Sequence, residues 1–127
     1  MSQTNVAFAE RPQATATLHW HNLCQHQDLV ANSGVVAWVN DCQVALFYLP
    51  GNEQPLYAVG NRDPKSGANV IGRGLLGKLG DDLVIASPLY KQHFRLQDGS
   101  CLEYPEQRLD VWPVRINGSQ VEIGLPG

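Results

Sequence analysis

From Gly34 onward, apolar residues recur with a period close to two, the spacing of a β-strand rather than a helix. The run Val35-Val36-Ala37-Trp38-Val39 is apolar on both faces, which suits a strand covered on two sides. Asn40-Asp41 is a turn pair, and residues 42–49 return, so residues 35–49 are expected to form a β-hairpin. Pro50-Gly51-Asn52 stops it, and residues 56–59 give a third strand. The second half repeats the device with strands at residues 83–86 and 93–96, then an Asp98-Gly99 turn before Cys101-Leu102. Near the C-terminus, residues 111–116 and 121–125 flank Asn117-Gly118 as a further hairpin. There Trp112, Val114 and Ile116 share a face opposed by Val121, Ile123 and Leu125. Helical periodicity is limited to about one turn over residues 27–31. The pattern predicts an all-β fold of short antiparallel strands. Residues 61–80 break the rhythm: Gly67, Gly72, Gly74, Gly77 and Gly80 stand among few strand formers, as expected of a long functional loop.

The length of 127 residues suits one domain, placed at residues 17–127 behind a flexible N-terminal arm at 1–16 that lacks an apolar signal core. No apolar run approaches the roughly 20 residues of a membrane helix. A net charge of −3 argues against nucleic acid as a partner. The charge is uneven, however. Residues 61–95 carry six cations (Arg62, Lys65, Arg73, Lys78, Lys91, Arg95) against Asp63, Asp81 and Asp82, so the acidic chain has a basic middle. Three cysteines, Cys24, Cys42 and Cys101, form no CxxC pair and read as reduced, buried thiols of a cytoplasmic protein.

Several motifs invite chemistry. Gly72-Arg73-Gly74-Leu75-Leu76-Gly77 matches GxGxxG but lacks the helix that would present its N-terminus to a pyrophosphate, since Gly80 follows at once. His19, His21, Cys24 and His26 could supply four zinc ligands; the competing reading is a polar edge strand around a buried Trp20. No GxSxG nucleophile elbow is present, and His93 reads as a structural histidine.

Two segments carry a resemblance that patterning alone does not reveal. Asn61-Arg62-Asp63-Pro64-Lys65-Ser66-Gly67-Ala68 resembles the first ligand loop of Rieske iron–sulfur domains, and Ser87-Pro88-Leu89-Tyr90-Lys91-Gln92-His93-Phe94 the second. Within that superfamily, Asn-Arg-Asp-Pro, Ser-Gly-Ala-Asn-Val and above all Ala-Ser-Pro-Leu-Tyr-Lys-Gln-His-Phe are similar to the small subunit of NADH-dependent nitrite reductase. The resemblance implies a Rieske-like antiparallel β-sandwich with a loop-rich, formerly cluster-binding subdomain. It also sets Asp63 and Ser87 at the cysteine positions, and Lys65 and Tyr90 at the histidine positions. A Rieske [2Fe–2S] cluster takes two thiolates on one iron and two imidazoles on the other. The chain is therefore expected to hold no cofactor or metal and to have no catalytic residue of its own. Polar contacts between Asp63 or Lys65 and Ser87 or Tyr90 are expected to replace the iron, partly exposed and worth about 1 kcal/mol, with Leu89, Phe94 and Val70 buried beneath them.

What the resemblance implies functionally is an auxiliary subunit in the reduction of nitrite to ammonium by NAD(P)H. Its large partner would carry FAD, sirohaem and an iron–sulfur cluster. The docking face is expected at the former cluster tip: Asp63, Lys65, Arg73, Tyr90 and Lys91. Two other readings stay open from the residues alone, a small metal-binding redox protein built on the His19 to His26 group and a stand-alone β-sandwich protein-binding module.

Overall fold

The computed structural model describes residues 18–126; the expected arm at 1–16 lies outside the described residues. In chain order the alternation becomes β1 (Leu18–Gln25), β2 (Ser33–Val39), β3 (Cys42–Tyr48), β4 (Leu56–Gly60), β5 (Leu75–Leu79), β6 (Asp82–Ala86), β7 (His93–Arg95), β8 (Val111–Trp112), β9 (Val114–Asn117) and β10 (Gln120–Pro126). These strands build three antiparallel sheets, ordered β1-β10-β9, β2-β3-β4-β8 and β5-β6-β7. The fold is all-β, as the period-two pattern requires.

The four-stranded sheet lies between two cores. Val44 and Leu46 of β3 pack with Leu56, Ala58, Val121 and Ile123 on one side. On the other, Ala45 and Phe47 pack with Val59, Ile71, Ile85, Phe94 and Leu96. All four β3 residues from Val44 to Phe47 are wholly buried. Expectation and structure differ over β2. Its two apolar faces predict cover on both sides, yet it is the outer strand of its sheet, with Val36 47% and Trp38 67% exposed.

The β2–β3 hairpin closes through Asn40 and Asp41, whose positive φ values of 47° and 67° suit a two-residue turn that matches the strand twist. Three further expectations are corrected. The 61–80 segment is not one loop: it contains a 3-10 turn at Ile71–Arg73 and the strand β5, joined to β6 through Gly80-Asp81. Residues 111–116 do not form one strand, because Pro113 separates β8, paired to β4, from β9, paired to β10. Proline donates no backbone hydrogen bond, so the chain changes sheets there. Trp112, Val114 and Ile116 nevertheless pack on the same core. The helical turn sits at His26–Asp28 as a 3-10 turn, slightly before its expected position.

Candidate functional site

Residues 61–68 and 87–92 form two loops built on one plan. At the head of the first, the Asp63 carboxylate accepts the Lys65 N–H (2.8 Å), its carbonyl accepts the Gly67 N–H (2.7 Å), and its own N–H donates to Ala68 O (2.8 Å). At the head of the second, the Ser87 hydroxyl oxygen accepts the Leu89 N–H (3.4 Å), its carbonyl accepts the Lys91 N–H (3.0 Å), and its N–H donates to Gln92 O (3.0 Å). The residue four past each head takes the left-handed conformation: Gly67 at φ 78° and Lys91 at φ 63°. Asp and Ser are side chains that cap such turns by bonding a backbone N–H two residues on.

The two heads then bond each other. Ser87 Oγ donates to Asp63 Oδ2 at 2.5 Å, and Gln92 Nε2 donates to Asp63 Oδ1 at 3.0 Å. The Ser66 N–H (3.3 Å) completes the donors around the carboxylate. Asp63 is 0%, Ser87 1% and Gln92 1% exposed. The link between the loops is therefore a buried hydrogen-bonded carboxylate, stronger than the part-exposed contact expected. Above it, the Lys65 ammonium lies 5.0 Å from the centroid of the Tyr90 ring, a cation–π contact between exposed side chains. Leu89, expected to be buried, is 49% exposed, while Phe94 is fully buried beneath the second loop.

Asn61 and Gln92 are buried polar residues that sequence reasoning passed over. The Asn61 amide donates to Gln43 Oε1 (2.8 Å) and its carbonyl oxygen accepts the Gly72 N–H (2.6 Å), tying the first loop to β3 and to the 3-10 turn. Gln92 Nε2 also donates to Gln107 Oε1 (3.0 Å), whereas Gln92 Oε1 is the buried side-chain oxygen left without a partner among the described residues. Nothing in the local sequence marks Gln92 as buried, since Lys91 and His93 flank it and are also polar. His93 places Nδ1 2.6 Å from Glu103 Oε2 and donates its backbone N–H to Glu103 Oε1 at 2.8 Å. Burial pushes the Glu103 carboxyl up, but the bonds from His93 outweigh it and hold the group below its ordinary value.

The other candidates are dispersed. His19 and His21 are exposed on β1 opposite Leu125 and Ile123; beyond a bulge, Cys24 packs on the core, and the His26 ring meets Tyr48 edge-on. Trp20, expected to be buried, is half-buried under the Arg115 guanidinium at 4.0 Å. Among the described residues no three His, Cys, Asp or Glu side chains gather as metal ligands. Of the three thiols, Cys101 is buried and Cys24 half-buried, but Cys42 is exposed, contrary to expectation. No described helix is long and apolar enough to cross a membrane.

Comparison with known proteins places this geometry. The Rieske-like [2Fe-2S] domain family matches residues 19–124. The nitrite reductase (NADH) small subunit of Escherichia coli K12 is 35% identical over 104 residues, 82% of this chain and 95% of that one. The chain belongs to the nitrite reductase small-subunit family of Rieske-like domains. The solution structure of the E. coli family member NirD superposes with a TM-score of 0.77 at 32% identity, covering 87% of this chain and 100% of that one. A further family relative is a segment of a longer protein: the nitrite reductase [NAD(P)H] large subunit of Klebsiella oxytoca is 36% identical over 123 residues. That match takes in 97% of this chain but 12% of the longer protein.

The side chains present do not fit the cluster for which the wider domain family is named. The loops offer a carboxylate, a hydroxyl, an ammonium and a phenol where thiolate and imidazole are needed. Protonated lysine has no lone pair to donate, and the oxygens of Asp63 and Ser87 are hard donors already bonded to each other.

Proposed function

We propose that this chain is a cluster-free auxiliary subunit of a cytoplasmic NAD(P)H-dependent nitrite reductase. It would dock on a large subunit that carries FAD, sirohaem and an iron–sulfur cluster and performs the chemistry. The observation that carries this reading is the Asp63–Ser87–Gln92 knot: the two positions equivalent to the cysteine ligands, Asp63 and Ser87, are spent on closing the loops, so the scaffold keeps its shape without iron. With no electron carrier in the chain, association remains as its use. The Klebsiella relative supports the choice of partner, because a domain covering nearly this whole chain sits within a polypeptide named as the large subunit. Fusion of two modules into one chain makes their contact intramolecular, which favours pairs that work in contact. The exposed tip residues Lys65, Tyr90, Lys91 and Arg73 are available to that contact. Asp63, expected among them, is buried and shapes the tip from beneath.

Anaerobic purification tests the reading. The expected result is a colourless, EPR-silent chain without iron that copurifies with the large subunit from cells grown on nitrite. Brown material with thiolate-to-iron charge-transfer bands overturns the cluster-free assignment, and a chain that never retains the large subunit overturns the subunit role.

A further inference from the structure

The edge strand β2 is apolar on both faces, but only one of them is covered. Val35, Ala37 and Val39 pack on the core against Val44 and Leu46. On the opposite face the 3-10 turn at Ile71–Arg73 covers Gly34, where a Cβ would meet Gly72 and Phe47, and its cover ends at Val36. Past that point Val36 is 47% and Trp38 67% exposed, and Leu75, which lines a groove with Ser33 at the other end of β2, is 75% exposed. Trp38 borders a groove of about 370 Å³ shared with Asp41, Arg62, Asn69 and Asp110. Arg62, in that groove, and Arg73, at the end of the 3-10 turn, form no ion pair among the described residues. An indole standing clear of its own core, with an aliphatic neighbour and a rim of mixed polar groups, has the anatomy of an interface anchor rather than of a solvated surface.

We infer that Trp38, flanked by Val36 and Arg62, is the anchor by which the chain docks on the nitrite reductase large subunit, with the loop-tip cations as a charged rim. This rests on the preceding reading. The fused Klebsiella relative favours the large subunit over a second copy of the chain. The surplus of cations over residues 61–95 favours an apolar pocket bordered by carboxylates as the matching surface.

The experiment immobilises the large subunit from the same genome and measures binding of the full chain, wild type and variants. Trp38→Ala is expected to raise Kd about 30-fold, the range of an interface hot spot, mainly through faster dissociation and at low and high salt alike. Trp38→Phe should recover part of the loss. Reversing Lys65 and Lys91 to Glu together should slow association instead, with a strong dependence on salt. The thermal midpoint of Trp38→Ala is expected to match wild type, since the side chain is mostly exposed. Binding by Trp38→Ala within threefold of wild type overturns the anchor while leaving the subunit reading intact. A wild-type chain that does not bind at all overturns the subunit reading itself, and a Trp38-dependent dimer in its place overturns the assigned partner.

Discussion

Replacing Ser87 by alanine removes the one side-chain donor to Asp63 Oδ2 among the described residues, whereas Oδ1 keeps the Lys65 and Ser66 amides and Gln92. The carboxylate is wholly buried, so water does not take the lost place without opening the loop. A hydrogen bond to a charged group contributes about 1.5–3 kcal/mol, and that is the expected destabilisation of Ser87→Ala in urea denaturation. At about 4 °C per kcal/mol for a domain of this size, the thermal midpoint should fall by roughly 6–12 °C. Gln92→Leu should cost less, about 1 kcal/mol, because it removes an unpaired buried carbonyl along with its two donated bonds. Asp63→Ala should cost most, about 3 kcal/mol or more, since it strands the donors of both loops together. Ser87 and Gln92 act on one carboxylate, so their double variant should depart from additivity by about 0.5 kcal/mol or more. A Ser87→Ala midpoint within about 2 °C of wild type, or a Gln92→Leu loss larger than that of Ser87→Ala, would refute the view that Asp63 holds the loops together.

Two further outcomes follow from local geometry. Glu103 has a folded pKa below its unfolded one, so its contribution to stability is complete above the ordinary glutamate value and fades as the pH falls through the lowered one. Glu103→Gln should therefore destabilise the protein at neutral pH and approach wild-type stability in acid, as read by urea denaturation across that range; a pH-independent difference would contradict the His93 pairing. Gly99 sits at φ 80° with Leu109 O lying where a Cβ would go. Gly99→Ala should cost about 2 kcal/mol or more, seen as a lower urea midpoint, and an unchanged midpoint would show that the Asp98-Gly99 turn is not under that constraint.

Much of this architecture was legible before any coordinates. The Asn40-Asp41 turn, the short apolar run of β3 and the hairpin before β10 are local signals, because strand-forming runs and turn chemistry are properties of neighbouring residues. The strand β5 was missed because Leu-Leu-Gly-Lys-Leu carries no β-branched residue, although Gly80-Asp81 between it and β6 is a two-residue hairpin signal. Pro113 was the local clue that one predicted strand is two. The resemblance located Asp63, Lys65, Ser87 and Tyr90, and the structure pairs Asp63 with Ser87 and Lys65 with Tyr90.

What sequence alone determined, then, is the all-β class, most strand positions and the identity of the side chains at the four ligand-equivalent positions, none of them a thiolate or an imidazole; each depends on residue identity within a short window. Tertiary structure decided how deeply Asp63 is buried, that Gln92 and Asn61 brace the loops, and which apolar face of β2 stays open. Burial is set by which segments pack above a residue, and those come from distant parts of the chain. For this reason Val36 and Trp38 read like core in the sequence and stand at the surface in the fold.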